Sequence, residues 1–416
     1  MSKTSILFCI LLLPALTNAQ WLKLELEAPG GVYSLWNSGD SLFAGHDSIF
    51  YYSFDSGENW ERSTRVPGAE YGITAIKPYN GWIYIGVSSK GVFRTSNLGV
   101  SWEPFSDGFT PGAAYEITGM ALRDDTLYVS TMGAGLYRRA INGQSVWTEF
   151  NFDLPFSTSW NVSTVENIDG DLYAGAGVNC LYYVNRKNTS NWQYVQFDQF
   201  NGEMNGVYSF GKSEGKLIAA ANQGVYTSAD GGRTWSGHYF GIGLIETGKI
   251  VTNGRKIVVL LSKSSRFYIY YSTDDGVTWW RDDMQSGAIA YSMAITGGKI
   301  WTGRYEGFYY KQDAITSIGD GDDHPATAKK ASIALYPNPV TRDAKLTVKF
   351  SGIDAGQASV ELFNSMGEKV KSSLFNCIVR SEGLIDLETP GLAPGVYIVR
   401  LSSGERTTTG KFLLLR

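Results

Sequence analysis

Three eight-residue stretches of the sequence bring an acid, a hydroxyl group and a large aromatic ring close together: SFDSGENW, SADGGRTW and STDDGVTW. A carboxylate beside a hydroxyl could serve general acid–base chemistry. The alternative is structural, because a short side-chain oxygen accepts backbone N–H bonds within its own turn and glycine permits a positive φ. The residues concerned are Ser53, Asp55, Gly57, Trp60, Ser228, Asp230, Gly232, Trp235, Ser272, Asp274, Gly276 and Trp279.

The spacing of the tryptophans decides between the two interpretations. Tryptophan recurs at intervals of 42 to 45 residues, at Trp60, Trp102, Trp147, Trp192, Trp235 and Trp279. The copies that end at Trp147 and Trp192 keep the ring and lack the acid. One acid per repeat spreads the carboxylates apart, whereas catalysis needs them to converge. We therefore predict that the acid closes a turn and that the tryptophan ring fills a core.

The elements between the tryptophans are short strands. Most repeats begin with an alternating apolar stretch such as GVYSLW or GITAIK, followed by a Gly/Asn/Asp hairpin signal and two further strands. A period of about 40–45 residues with four strands is typical of a β-propeller blade. The last repeat lacks its fourth strand, and Trp21–Leu24 can supply it. The sequence thus predicts an all-β chain with a seven-bladed β-propeller closed by the N-terminal strand.

The pattern S-x-D-x-G-x-T-W resembles the Asp-box (BNR) repeat of the superfamily that contains sialidases, sortilin-type receptors and photosystem II assembly-factor-like propellers. The stretches at Ser228 and Ser272 match it in full, and Asn59 replaces the threonine in the first. The resemblance implies that each box lies in the turn between the third and fourth strands of a blade.

The C-terminal segment has a different pattern, which predicts a small Ig-like β-sandwich. It resembles the C-terminal sorting domain of the Bacteroidetes type IX secretion system. The resemblance implies recognition by that secretion machinery, followed by removal of the domain or attachment to the cell surface. The matching residues are Tyr336, Pro337, Asn338, Pro339, Pro394, Gly395, Tyr397 and Lys411.

The N-terminus carries a basic residue, a short apolar run and small residues at Thr17–Ala19, which predicts a secretory signal peptide. We expect a signal peptide at 1–19, the propeller at 20–316, a linker at 317–331 and the sorting domain at 332–416. No later segment is apolar enough to suggest a transmembrane span. The expected location is secreted or attached to the outer-membrane surface, reached through the periplasm.

Bulk composition excludes several classes of function. A formal net charge of −4, without a run of basic residues, gives no reason to expect nucleic-acid binding. Cys180 and Cys377, which follow the predicted signal peptide, support neither a disulfide framework nor a metal site. No cofactor and no metal are predicted.

The face opposite the boxes is the predicted ligand-binding face, because its loops do not repeat. Aromatic side chains there suit stacking on sugar rings or anchoring a protein loop. The favoured function is non-catalytic binding of an extracellular glycan or protein. The candidate ligand-binding residues are Tyr71, Tyr115, Trp160, Tyr239, Tyr291, Arg304 and Tyr305.

The alternative function is a glycoside hydrolase, sialidase-like or xyloglucanase-like, that uses carboxylates of the same face. A sialidase needs three arginines to hold a carboxylate, and the candidates are Arg65, Arg266 and Arg304. The first-arginine motif of sialidases is missing, and a xyloglucanase has two facing propellers where this chain predicts one. Enzymatic activity therefore stays open and is the less favoured reading.

Overall fold

The structure is a computed structural model that describes residues 21–26, 30–69, 72–110, 116–143, 145–151, 161–176, 181–185, 191–196, 206–221, 223–286, 288–312, 332–341, 345–351, 356–364, 369–379, 382–388, 392–403 and 406–415. Within these ranges every regular element is a β-strand. The prediction of an all-β chain is confirmed.

Described residues between 22 and 312 form seven antiparallel sheets of four strands. Strand β1 (Leu22–Leu24) comes first in the chain. The first sheet contains β2 (Val32–Ser38), β3 (Ser41–His46), β4 (Phe50–Ser53) and β5 (Glu61–Arg62). The second contains β6 (Ile73–Tyr79), β7 (Trp82–Val87), β8 (Gly91–Thr95) and β9 (Glu103–Pro104). The third contains β10 (Ile117–Arg123), β11 (Thr126–Thr131), β12 (Gly135–Ala140) and β13 (Thr148–Glu149).

The later sheets repeat this order. The fourth contains β14 (Val162–Ile168), β15 (Asp171–Ala176), β16 (Leu181–Asn185) and β17 (Gln193–Gln196). The fifth contains β18 (Val207–Lys212), β19 (Leu217–Ala221), β20 (Gly224–Ser228) and β21 (Ser236–His238). The sixth contains β22 (Thr247–Asn253), β23 (Lys256–Lys263), β24 (Arg266–Ser272) and β25 (Trp280–Ser286). The seventh adds β26 (Ala290–Thr296), β27 (Lys299–Arg304) and β28 (Gly307–Gln312) to β1.

The seventh sheet takes its fourth strand from the start of the chain. Its order is β1-β28-β27-β26, and Leu22 pairs with Tyr310 while Leu24 pairs with Phe308. The ring of Trp21 packs edge-on against Phe267 of the sixth sheet, with ring centroids 5.6 Å apart. These contacts attach the N-terminal segment to two sheets at once.

Apolar side chains lie between successive sheets, so that each pair of neighbours shares a core. The first strand of each sheet, here called its inner strand, contacts the inner strand of the next sheet, and β26 contacts β2. Phe308 and Trp301 of the seventh sheet pack with Val32 and Tyr51 of the first. The core is therefore a series of intersheet layers in which the last sheet also meets the first.

Hydroxyl groups of the inner strands add a second link between neighbouring sheets. Ser34 Oγ donates to the carbonyl of Ile73, at 2.7 Å, and Thr74 Oγ1 donates to the carbonyl of Ile117. Thr118 does the same toward the inner strand of the fourth sheet. Each hydroxyl satisfies a carbonyl at the start of the next inner strand, which lacks a strand partner on that side.

The turn between the third and fourth strands holds the eight-residue stretches. In the sixth sheet Ser272 Oγ donates to Asp274 Oδ1 at 2.7 Å, and the backbone N–H of Gly276 donates to Ser272 Oγ at 2.8 Å. The backbone N–H of Thr278 donates to Asp274 Oδ1 at 2.9 Å, and Trp279 Nε1 donates to the carbonyl of Gly276. The first and fifth sheets carry the same bonds. The acids thus bond within their own turns.

The C-terminal segment folds into two further sheets around a common core. One contains β29 (Ser332–Tyr336), β30 (Lys345–Ser351) and β33 (Glu382–Glu388). The other contains β31 (Gly356–Asn364), β32 (Lys369–Val379), β34 (Gly395–Ser403) and β35 (Arg406–Leu414). Leu346, Val348, Val399 and Leu401 are among the residues that fill the space between them.

Asn338 connects the start of this segment to its last strand. Its side chain is buried, Nδ2 donates to the carbonyl of Lys411 at 2.9 Å, and Oδ1 accepts the N–H of Leu413 at 2.8 Å. Tyr397 stacks on Phe412, and its hydroxyl donates to the carbonyl of Ala393. These side chains hold backbone and core positions within the segment.

Candidate functional site

The inner strands surround a channel with a volume of about 640 Å³. Residues from all seven inner strands line it. A volume in this range suits a small-molecule site, which typically occupies about 300–1,000 Å³. The channel is therefore a candidate binding site for a small molecule.

Five charged side chains line the channel. Asp169 and Lys212 pair with each other, and the other three are Lys77 of β6, Glu166 of β14 and Lys249 of β22. Protein surrounds Glu166 and Lys249, although both keep contact with the open space of the channel. Burial raises the pKa of the Glu166 carboxyl, and the charges of Lys77 and Lys249 offset part of that increase. Burial lowers the pKa of the Lys249 ammonium, and Glu166 opposes it. The fold thus places the ionisable groups of Glu166 and Lys249 in a partly dehydrated part of the channel wall.

A cluster of tyrosines marks one end of the channel. Tyr33 begins the channel wall, and its ring lies 5.4 Å from the ring of Tyr291, centroid to centroid. Tyr305, in the turn between β27 and β28, is 65% exposed and close enough to influence both phenols. We call Tyr33, Tyr291 and Tyr305 the tyrosine mouth. It offers aromatic faces and hydroxyl groups to solvent on one side of the ring of sheets.

Asp47 fixes the chemistry of the tyrosine mouth. Burial raises the pKa of Tyr33 to about 12, helped by the charge of Asp47 and by a hydrogen bond to it. The phenol is therefore neutral at physiological pH, and its O–H group donates a hydrogen bond to the Asp47 carboxylate. Such a neutral, oriented phenol is suited to hydrogen bonding with a hydroxylated or peptide ligand rather than to nucleophilic attack.

His46 lies beneath this acid and is 2% exposed. Burial lowers the pKa of its imidazole, while the charge of Asp47 acts to raise it and the charge of Arg65 to lower it. Arg65 itself is exposed and donates through Nη1 to Ser48 Oγ at 2.9 Å. The histidine is thus a buried support of the Asp47 turn and does not reach solvent.

The aromatic residues among the predicted ligand-binding residues fall into three groups. Tyr71, Tyr115 and Trp160 lie outside the described residues. The structure brings Tyr291 and Tyr305 together in the tyrosine mouth. Tyr239 is 42% exposed in the connection after β21, and its ring meets Tyr226 edge-on.

Arg304 is placed in a core rather than on the face. It is 5% exposed, and its guanidinium lies 4.0 to 4.6 Å from the ring centroids of Trp21, Phe267 and Tyr309. Its Nε donates to Thr302 Oγ1 at 3.0 Å. This placement favours cation–π packing over the ligand contact that the sequence predicted, because the guanidinium lies among the rings of Trp21, Phe267 and Tyr309.

The sequence analysis missed Tyr33, Asp47 and the three channel charges. A signal was present, because Lys77 and Glu166 end alternating apolar stretches that otherwise read as buried strand. A charge in that position is costly unless the strand faces a polar space. The chain positions of the three charges gave no hint that they share one channel.

The described candidate carboxylates are exposed or paired, apart from Glu166. Of the two acids in the channel wall, Asp169 is exposed and paired with Lys212, whereas Glu166 forms no ion pair among the described residues. Asp107 and Glu116 are exposed, and Asp282 forms an ion pair with the buried Lys311.

Solved structures show that the fold is of the β-propeller type. YCF48 from Cyanidioschyzon merolae superposes with a TM-score of 0.53 at 13% identity, covering 70% of this chain and 98% of that protein. Virginiamycin B lyase from Staphylococcus aureus gives 0.56 at 12%, with 70% and 98% covered. PorZ, a surface component of the type IX secretion system of Porphyromonas gingivalis, gives 0.51 at 14%, with 95% and 61% covered. A search of curated protein sequences finds no match.

The C-terminal segment has a sequence relationship of its own. Residues 334–415 match the family described as secretion system C-terminal sorting domain. The predicted type IX sorting domain is confirmed, and the chain is exported by that system to the cell surface or the medium. In the described part of the chain, no helix is both long and apolar enough to cross a membrane.

Proposed function

We propose that this chain is a non-catalytic binding protein of the cell surface or the medium, which holds an extracellular glycan or protein at the tyrosine mouth. In this proposal the seven sheets are the blades of an Asp-box propeller closed by β1, and an Ig-like sorting domain follows. The proposed boundaries are 1–19 for the signal peptide, 20–316 for the propeller, 317–331 for the linker and 332–416 for the sorting domain.

The observation that carries the proposal is the grouping of Tyr33, Tyr291 and Tyr305, with Asp47 bonded to Tyr33, beside the channel. Exposed tyrosine loses little conformational freedom on binding and offers both a ring face and a hydroxyl. Tyr71, Tyr115, Trp160 and Tyr239 remain proposed contributors to the same face.

The eight-residue turns support the framework part of the proposal. Asp55, Asp230 and Asp274 each accept hydrogen bonds inside their own turn, and each tryptophan donates back to the turn glycine. Those bonds occupy the carboxylates, which fits a structural Asp-box. In the sorting domain, the bonds of Asn338 and Tyr397 fit a motif that stabilises the fold presented to the export machinery.

The ligand class follows from chemistry rather than from the relatives. YCF48 has been solved bound to D1 peptide, and a lyase shares the same general fold. A propeller therefore serves both binding proteins and enzymes. The tyrosine mouth favours binding, because its rings offer stacking faces and its neutral Tyr33 phenol offers a hydrogen-bond donor. The carboxylates of Asp47 and Glu306 lie beside these rings.

The test is a glycan array and a surface-protein capture with the mature chain, alongside a polysaccharide hydrolysis panel. We expect a bound ligand whose retention falls about tenfold or more in Tyr305→Ala and in Tyr291→Ala, in line with loss of an aromatic anchor. Trp280→Ala is the matched control, because Trp280 is 45% exposed on the outer strand β25. Binding that survives both tyrosine changes would contradict the site, and release of reducing sugar would establish the glycoside hydrolase instead.

A further inference from the structure

The channel contains charges that the protein itself does not neutralise at contact distance. Lys77, Glu166 and Lys249 form no direct ion pair with any described residue. Lys212 and Asp169, farther along the wall, form a pair with each other. Two ammonium groups and one carboxylate therefore remain, which is one positive charge in excess.

Several other polar groups of the wall are already engaged. Ser34, Thr74 and Thr118 donate to carbonyls of neighbouring inner strands, and Asn37 and Asn167 donate to backbone carbonyls. These groups hold the sheets together. The three charged side chains are the strongest polar contacts that the described wall offers to a molecule in the channel.

The charges approach the channel from three directions. Lys77 belongs to the second sheet, Glu166 to the fourth and Lys249 to the sixth. Alternate sheets of the ring thus contribute one charge each. A molecule between them would meet an ammonium group from each of two sheets and a carboxylate from a sheet that lies between those two in the chain order.

We propose that the channel binds a small hydroxylated carboxylate, such as a sugar acid, with its carboxylate between Lys77 and Lys249 and a hydroxyl donated to Glu166. An anion balances the excess positive charge, which is costly to enclose without a partner. A hydroxyl supplies the donor that a carboxylate side chain requires. The cavity of about 640 Å³ has room for such a molecule.

The opposing pKa changes agree with this assignment. Burial works against the charged forms of both Glu166 and Lys249, and their mutual attraction offsets only part of that cost. A bound carboxylate would add the missing attraction for Lys249. This site uses Lys77, Glu166 and Lys249, none of which belongs to the tyrosine mouth, so it does not depend on the proposed ligand of the mouth.

The test compares D-galacturonate with D-galactose by titration calorimetry on the mature full-length chain. The two sugars differ at one position, where a carboxylate replaces a hydroxymethyl group. We expect binding of galacturonate in the millimolar range or tighter and none of galactose. Lys249→Met and Lys77→Met should each weaken galacturonate binding about tenfold or more, as expected for removing one partner of an enclosed charge contact.

Two further variants separate a charge effect from a folding defect. Lys23→Met, an exposed lysine of β1, should leave binding unchanged. Tyr305→Ala should also leave it unchanged, whereas it abolishes the proposed binding at the mouth.

The proposal fails if galacturonate does not bind at millimolar concentration, or if galactose binds equally well. It also fails if folded Lys77→Met and Lys249→Met both bind galacturonate like the wild type. Loss of mouth binding in Tyr305→Ala with galacturonate binding intact would separate the two sites.

Discussion

Replacing Asp274 by alanine tests the structural role of the eight-residue turns. Asp274 accepts the Ser272 hydroxyl at 2.7 Å, the Thr278 N–H at 2.9 Å and the Thr278 hydroxyl at 2.6 Å. Slight burial acts to raise the pKa of this carboxyl, but the bonds from Thr278 and Ser272 prevail and lower it from 3.8 to about 2. The folded turn therefore prefers the ionised acid.

The pKa change sets the size and the pH dependence of the effect. A shift of this size corresponds to about 2.4 kcal/mol at 1.36 kcal/mol per unit, and we reduce it to about 1 kcal/mol because solvent screens the partly exposed carboxylate. Since the pKa is lowered by folding, the stabilisation is present above pH 3.8. It is lost as the pH falls toward 2.

Tryptophan fluorescence measures this effect selectively, because all 12 tryptophans lie between Trp21 and Trp301. At pH 7 we expect Asp274→Ala to lower Tm by about 2–4 °C, and the difference from the wild type to shrink below pH 4.

Asp274→Asn is the matched control, because the second sheet already carries Asn97 in this position. Asn97 Oδ1 accepts the N–H of Ser101 at 3.0 Å, and its Nδ2 donates to the Ser101 hydroxyl. Asp274→Asn should therefore stay close to the wild type. An unchanged Tm in Asp274→Ala at pH 7, or an equal loss in both variants, would refute the reasoning.

Three further substitutions probe packing. Trp21→Ala removes a ring that packs on Phe267 and on the guanidinium of Arg304, so unfolding in urea followed by fluorescence should show a loss of about 2–3 kcal/mol. Gly57→Ala should cost about 2 kcal/mol or more in the same assay, because φ is +84° and the new Cβ would lie 2.2 Å from the Trp301 ring. Asn338→Ala loses two buried hydrogen bonds and should destabilise the sorting domain by about 2–3 kcal/mol, measured by amide exchange.

Controls for these changes come from the chain itself. Gly39 has a φ of +56°, and the position that a new Cβ would take has no atom within 4 Å. Gly39→Ala should therefore cost less stability than Gly57→Ala. Tyr336 is 41% exposed beside Asn338, so Tyr336→Ala should change exchange little. Leu22→Ala, an exposed change on β1, should cost far less than Trp21→Ala. Equal losses within any pair would show that the named contacts do not carry the effect.

Local patterns were enough to predict the strands and the sorting domain. Alternation in GVYSLW became β2, and the sorting motif around Asn338 fell within a matching family segment. Each of these two signals is contained in a few consecutive residues. The seven-blade count, the Asp-box identity and the ligand face remain proposals.

Features made by distant segments could not be predicted in the same way. Lys77, Glu166 and Lys249 are far apart in the chain and lie on the second, fourth and sixth sheets. The arrangement of the inner strands brings them to one channel. Arg304 read as a loop arginine, since its aromatic partners Trp21 and Phe267 are remote in sequence. Long-range packing gave these side chains their roles.

The pairing of β1 with β28 also has a kinetic consequence. Leu22 must find Tyr310 across about 290 intervening positions, and closing so long a loop costs about 5 kcal/mol of chain entropy. Contacts of such sequence separation form late, because shorter-range sheets gain their stabilisation first. Until β28 has been made and β1 has docked, the outer edge of β28 exposes unpaired backbone groups, which are a template for association with other chains. The interval between synthesis and docking is thus when this protein most needs protection in the periplasm.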